Sequence, residues 1–101
     1  MTMTCYREFP DYPAAAMPAL PDGWTDVSWH NDVCPCYARA SGNVVIWIDY
    51  PNPSDREYYN TKRFRVVAYD DPDHVEETDD WTEALAIASA VPAPPPILTL
   101  V

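Results

Sequence analysis

The side chains with the most reactive chemistry lie close together: His30, Asp32, Cys34 and Cys36 fall within seven residues. Imidazole, carboxylate and thiolate are groups that zinc accepts in a four-coordinate site. The spacing argues against a metal. Structural zinc sites use paired Cys-x-x-Cys knuckles, whereas Cys34-Pro35-Cys36 places both sulfurs on one face of a strand, and the other candidates, Cys5 and His74, are distant in sequence. Inert, buried or half-buried thiols and no cofactor are the expectation. A nucleophilic thiolate would need His30 or His74 beside it and a carboxylate to orient the imidazole. Nearness in sequence does not establish that geometry, so the chain reads as a non-enzyme. A small zinc or thiol protein using His30, Cys34 and Cys36 stays as an alternative.

Charge is the stronger signal. From Asp70 to Glu83 there are eight acids, Asp70, Asp71, Asp73, Glu76, Glu77, Asp79, Asp80 and Glu83, and no lysine or arginine, so half of the 16 carboxylates sit in fourteen residues. Asp49, Asp55 and Glu57 are candidates to extend the run. Such a run is often only a solvated face. A calcium loop is an alternative, but the EF-hand order needs a glycine at its sharp turn and none lies there. Carboxylates held along a rigid surface can also imitate phosphates, and a partner that grips nucleic acid through Lys and Arg would bind them with similar salt sensitivity. The formal net charge of −10 opposes direct contact with nucleic acid or an anionic membrane. The expected partner is therefore a basic nucleic-acid-binding protein. Tyr58 and Tyr59 add a second kind of contact, because adjacent tyrosines cannot both point inward and aromatic side chains anchor interfaces.

The elements that position these residues follow from periodicity. Asn43 to Tyr50 is the one run apolar and β-branched enough for a central strand, with Val44, Ile46 and Ile48 on one face and Val45, Trp47 and Asp49 on the other. Strands are predicted before it at Trp24 to His30 and Cys34 to Ala40, the latter joined to it by the turn Ser41-Gly42-Asn43. Pro35 has no amide donor and marks the start or an exposed edge of its strand. After the Pro-rich loop from Pro51 to about Thr61, Arg63 to Tyr69 alternates as an amphipathic strand, and His74 to Thr78 is charged enough for only a short edge strand. Asp80 and Glu83 form an Asp-x-x-Glu box opening a helix that runs to Val91, where Pro92 stops it. Trp81, Ala84, Leu85, Ala88 and Val91 make its apolar stripe, placed to cover Val44, Ile46 and Ile48.

Twelve prolines against two glycines predict stiff connections. Residues 1–22 read as an extended Pro-rich arm, 23–91 as a single domain and 92–101 as a Pro-rich tail. At 101 residues with 48% apolar composition the core is small, so the four tryptophans are expected to fill it, and the chain is expected to be a monomer or homodimer. Three cysteines that cannot all pair, with no basic and apolar leader and no run long enough for a membrane span, point to a reduced, cytoplasmic setting.

In its acids at 70–83, its small size and its pI of about 4.2, the chain resembles the small acidic inhibitors that phages and mobile elements direct at host nucleic-acid-binding machinery, of the anti-CRISPR and anti-restriction DNA-mimic kind. The resemblance implies a non-enzymatic inhibitor, a CRISPR effector or another nuclease as partner, and a bacterial cytoplasm as the setting. Those inhibitors share no common fold, so no site residue is carried over. The basic stretch Arg56 to Arg65 departs from a uniform mimic and keeps open an antitoxin-like interaction protein that uses its aromatic loop. The fold expected is α+β: a mainly antiparallel sheet of three to five strands with one C-terminal helix on one face, flanked by Pro-rich arms.

Overall fold

A computed structural model describes residues 4–69 and 75–92. The predicted tail beyond Pro92, and the acids Asp70, Asp71 and Asp73, lie outside the described residues. The elements are α1 (Thr4–Glu8), β1 (Trp24–Asp26), β2 (Cys36–Arg39), β3 (Val44–Ile48), β4 (Phe64–Ala68), β5 (Val75–Thr78) and α2 (Trp81–Ala90), with short 3-10 turns at Ala14–Ala16 and Pro53–Asp55. The strands form one antiparallel sheet in sequence order, and β3 is central. The fold is α+β.

Register explains the core. Ile46 faces Tyr37 on β2 and Val66 on β4, and Ile48 faces Phe64, so these side chains share one side of the sheet. Across them packs α2, with Ala84 and Ala88 fully buried and Trp81, Leu85, Ile87 and Val91 partly so. The Trp81 ring tilts against Phe64 at 5.2 Å and meets Tyr37 edge-on at 6.0 Å. Asp80 caps the helix, its carboxylate accepting the Thr82 amide at 2.9 Å. The turn from β2 to β3 needs positive φ at Gly42, a conformation that other residues adopt only with strain.

Strand limits differ from those read in the sequence, for local reasons. β1 ends at Asp26 rather than His30 because the Asp26 carboxylate accepts the Ser28 amide at 3.0 Å, an Asx turn that bends the chain away from the ladder. As a result Trp29 is 51% exposed, and the expectation that all four tryptophans fill the core is corrected. β2 begins at Cys36, just after the donor-less Pro35, whose carbonyl still accepts the Ile48 amide at 2.8 Å.

The N-terminal segment departs most from expectation. Its prolines do end each helical piece early, α1 being five residues and the next turn three. Yet the segment is not an extended arm. Phe9, Tyr12 and Met17 are buried in the same cluster as Ile46 and Phe64. The Tyr37 hydroxyl donates to the Pro18 carbonyl at 2.7 Å, and the Tyr12 ring packs on Tyr50 at 4.9 Å. No helix among the described residues is long and apolar enough to cross a membrane.

Deleting residues 1–20 removes three core side chains, so the unfolding free energy measured in urea should fall by at least about 3 kcal/mol, since truncating even one buried aromatic typically costs that much. Phe9→Ala alone should reproduce much of the loss, and unchanged stability would contradict the docking.

Candidate interaction surface

Half of the six Lys and Arg side chains act inside the fold. Arg63 donates through Nη2 to the Tyr12 hydroxyl at 2.8 Å and to the Ala16 carbonyl, while the Tyr12 hydroxyl itself donates to the Asp49 carbonyl at 2.8 Å. Arg56 donates to the carbonyls of Tyr50, Pro51 and Thr61, which closes the loop between β3 and β4. Arg39 reaches from β2 to the carbonyls of Ala88, Val91 and Pro92. That contact puts a guanidinium at the negative end of α2, whose own last turn has no basic residue. Among the described residues the ion pairs are confined to Glu8, with Arg7 at 3.7 Å and His30 at 2.9 Å.

The acids of β5 and the start of α2 have no ion-pair partners among the described residues. Glu76 and Glu77 lie on β5, the outer strand, and Asp79, Asp80 and Glu83 follow around the start of α2; all five are exposed. They do not form one flat face. Glu76 is in register with Val66 on the helix-covered side and Glu77 with Arg65 on the opposite side, so the carboxylates wrap the edge of the sheet. Two of them also hold structure: Asp79 accepts the Arg63 amide at 2.9 Å, and Asp80 is the helix cap. Acids on an outer strand have the further effect of discouraging pairing with another sheet.

On the side of the sheet away from α2, a groove of about 370 Å³ lies over Trp47 and Arg65, walled by Val33 and Cys34 on one side and by Glu57 and Tyr58 on the other. Trp47 is half-buried here and pairs across the ladder with Cys36 and Arg65. Asp49 lines the groove, and its carboxyl is raised above its ordinary value chiefly by burial, partly offset by the Tyr50 amide at 2.9 Å and by Arg56. Tyr58 is 62% and Tyr59 80% exposed, Tyr58 on this groove and Tyr59 on a shallower hollow beside Arg56. The sequence marked Tyr58 but not the groove. A two-sided apolar strand with a short acidic neighbour was the available signal, and it does not say which loops rise around it.

The structure does not join the zinc candidates into a site. His30 is exposed and its Nδ1 lies 2.9 Å from Glu8, whose carboxyl that contact lowers. Cys34 and Cys36 are buried free thiols. Burial, followed by the nearby Asp32 and Asp26 carboxylates, pushes the Cys36 thiol up to about 12, and burial followed by Asp49 pushes Cys34 up too. Such thiols stay protonated and are poor nucleophiles near neutral pH. Among the described residues no three His, Cys, Asp or Glu side chains are placed to hold a metal ion.

These thiols carry a pH signature. An unfolded cysteine loses its proton near about pH 8.5, whereas Cys36 holds its proton to about 12 when folded. The stabilisation is complete below the unfolded value and is lost as pH rises towards the folded one, at about 1.4 kcal/mol per pH unit for each thiol. In a Cys5→Ser variant, unfolding free energy should be flat from pH 6 to 8 and fall above about pH 9. A disulfide reagent at pH 8 should label the folded protein far more slowly than the urea-unfolded chain, and equal rates would refute the burial. Comparison with protein-family models, curated proteins and solved structures finds no match to this chain.

Proposed function

We propose that this protein is a non-enzymatic acidic inhibitor that occupies a basic nucleic-acid-binding surface on a larger protein, a CRISPR effector or another nuclease, in a bacterial cytoplasm. One observation carries the reading. Three of the six basic side chains, Arg39, Arg56 and Arg63, are committed to main-chain carbonyls, while Glu76, Glu77 and Glu83 stand exposed without an ion-pair partner among the described residues. A rigid β-edge running into a capped helix holds those carboxylates in fixed relation, as a phosphate mimic needs. Of the four cations in the basic stretch that breaks the acidic pattern in sequence, Arg56 and Arg63 face carbonyls, while Lys62 and Arg65 are exposed. An arrangement of this kind accelerates association with a basic groove and makes affinity fall with salt.

A second reading is favoured by the exposure of Tyr58 and Tyr59. An antitoxin-like or other interaction protein would use them as anchors with no nucleic-acid function on the partner. Charge reversal separates the two, provided that Asp79 and Asp80 are spared because they hold the Arg63 amide and the helix start. Glu76→Lys with Glu83→Lys should weaken binding to a purified effector by at least about 10-fold at low salt and flatten the salt dependence. Tyr58→Ala with Tyr59→Ala should act mainly on dissociation. If the charge reversals leave affinity unchanged while the tyrosine changes abolish it, mimicry is wrong and a conventional protein interface is right.

A further inference from the structure

The groove over Trp47 has a composition that selects among ligands. Two aromatic side chains line it, Trp47 from β3 and Tyr58 from the loop before β4. Four carboxylates border it, Asp32, Asp49, Glu57 and Glu77. The cations Lys62, Arg63 and Arg65 also line it, so the carboxylates outnumber them four to three, and Arg63 has its donors turned to the Tyr12 hydroxyl and the Ala16 carbonyl. Neither Lys62 nor Arg65 forms an ion pair among the described residues, so none of these carboxylates is held in a direct ion pair there. Glu77 belongs both to this groove and to the outer strand, which makes the groove continuous with the acidic edge.

We propose that the groove seats an arginine side chain of the protein partner, its guanidinium lying against Trp47 and Tyr58 and paired with the carboxylates of Asp49 and Glu57. A flat, weakly hydrated cation stacks on aromatic faces and bonds carboxylates through a planar fork, whereas a lysine ammonium is a strongly hydrated point charge. A volume of about 370 Å³ is at the small end of ligand sites and has room for one arginine side chain. The inference rests on the inhibitor reading for the partner's identity, but not for the chemistry of the groove.

The test uses N-acetyl-arginine amide, followed by two-dimensional NMR of the whole protein. Saturable shifts are expected at the Trp47 indole N–H and at the amides of Asp49, Glu57 and Tyr58, with a dissociation constant in the millimolar range typical of so small a ligand. N-acetyl-lysine amide should bind at least about 3-fold more weakly. Tyr58→Ala with Glu57→Gln changes only exposed side chains and should weaken arginine binding about 10-fold while spectral dispersion shows the fold intact. Absence of saturation at the groove up to about 50 mM, shifts centred on Glu76 and Glu83 instead, or equal binding by the folded double variant would each overturn the proposal. The two readings fail separately. Arginine binding that persists when charge reversal has no effect on effectors keeps the groove and removes the inhibitor, and the reverse result keeps the inhibitor and removes the groove.

Discussion

Guanidinium groups bonded to main-chain carbonyls hold the non-regular parts of this protein in place. Arg63 is the clearest case, because its one planar head reaches the hydroxyl of Tyr12 and the carbonyl of Ala16, joining the N-terminal segment to the end of β3 and the start of β4. Loops and helix ends leave carbonyls without ladder partners, and a buried carbonyl left unbonded costs on the order of 1–3 kcal/mol. Arg39 answers that need at the end of α2, with Asn43 alongside it donating to the Pro92 carbonyl at 2.9 Å. Arg56 does the same within the loop that carries Tyr58 and Tyr59. The electrostatic consequence is narrower: guanidinium donors turned to carbonyls do not form direct ion pairs, so the exposed carboxylates of the sheet edge keep no close cationic partner among the described residues.

A second constraint is coverage. One helix of ten residues is about 15 Å long, too short to cover one face of a five-stranded sheet. The N-terminal segment supplies the rest through Phe9, Tyr12 and Met17, and its prolines suit it to that task because short helical pieces with bends follow a twisted sheet better than one straight helix. Among the described residues no α-helix packs on the strand face that carries Trp47 and Arg65. There half-buried Trp47 lies among charged side chains in a groove of about 370 Å³.

The regular elements were legible in the sequence because period-2 alternation and a capped 3.6-period stripe report burial directly. Val44, Ile46 and Ile48, the α2 stripe and the Asp80 cap stand where those patterns put them. Irregular backbone was not legible, because its position depends on bonds between residues far apart in the chain, such as Tyr37 to Pro18 or Arg63 to Ala16. Phe9 and Tyr12 therefore read as an arm although they are core, and Trp29 read as core although an Asx turn at Asp26 releases it to solvent. The acidic run was plain in the sequence as composition. That Glu76 and Glu77 face opposite sides, and that Asp79 and Asp80 hold backbone amides, required the strand register.

If a basic partner meets this protein with the surface that it otherwise offers to nucleic acid, this protein and DNA exclude each other from that partner. Competition at equilibrium tests it most directly: a fixed concentration of effector with fluorescent DNA, titrated with this protein at low salt. Full displacement of the DNA is expected, with an apparent affinity that weakens in proportion to the DNA concentration. A ternary complex in which DNA and this protein bind the effector together, each with unchanged affinity, would contradict it.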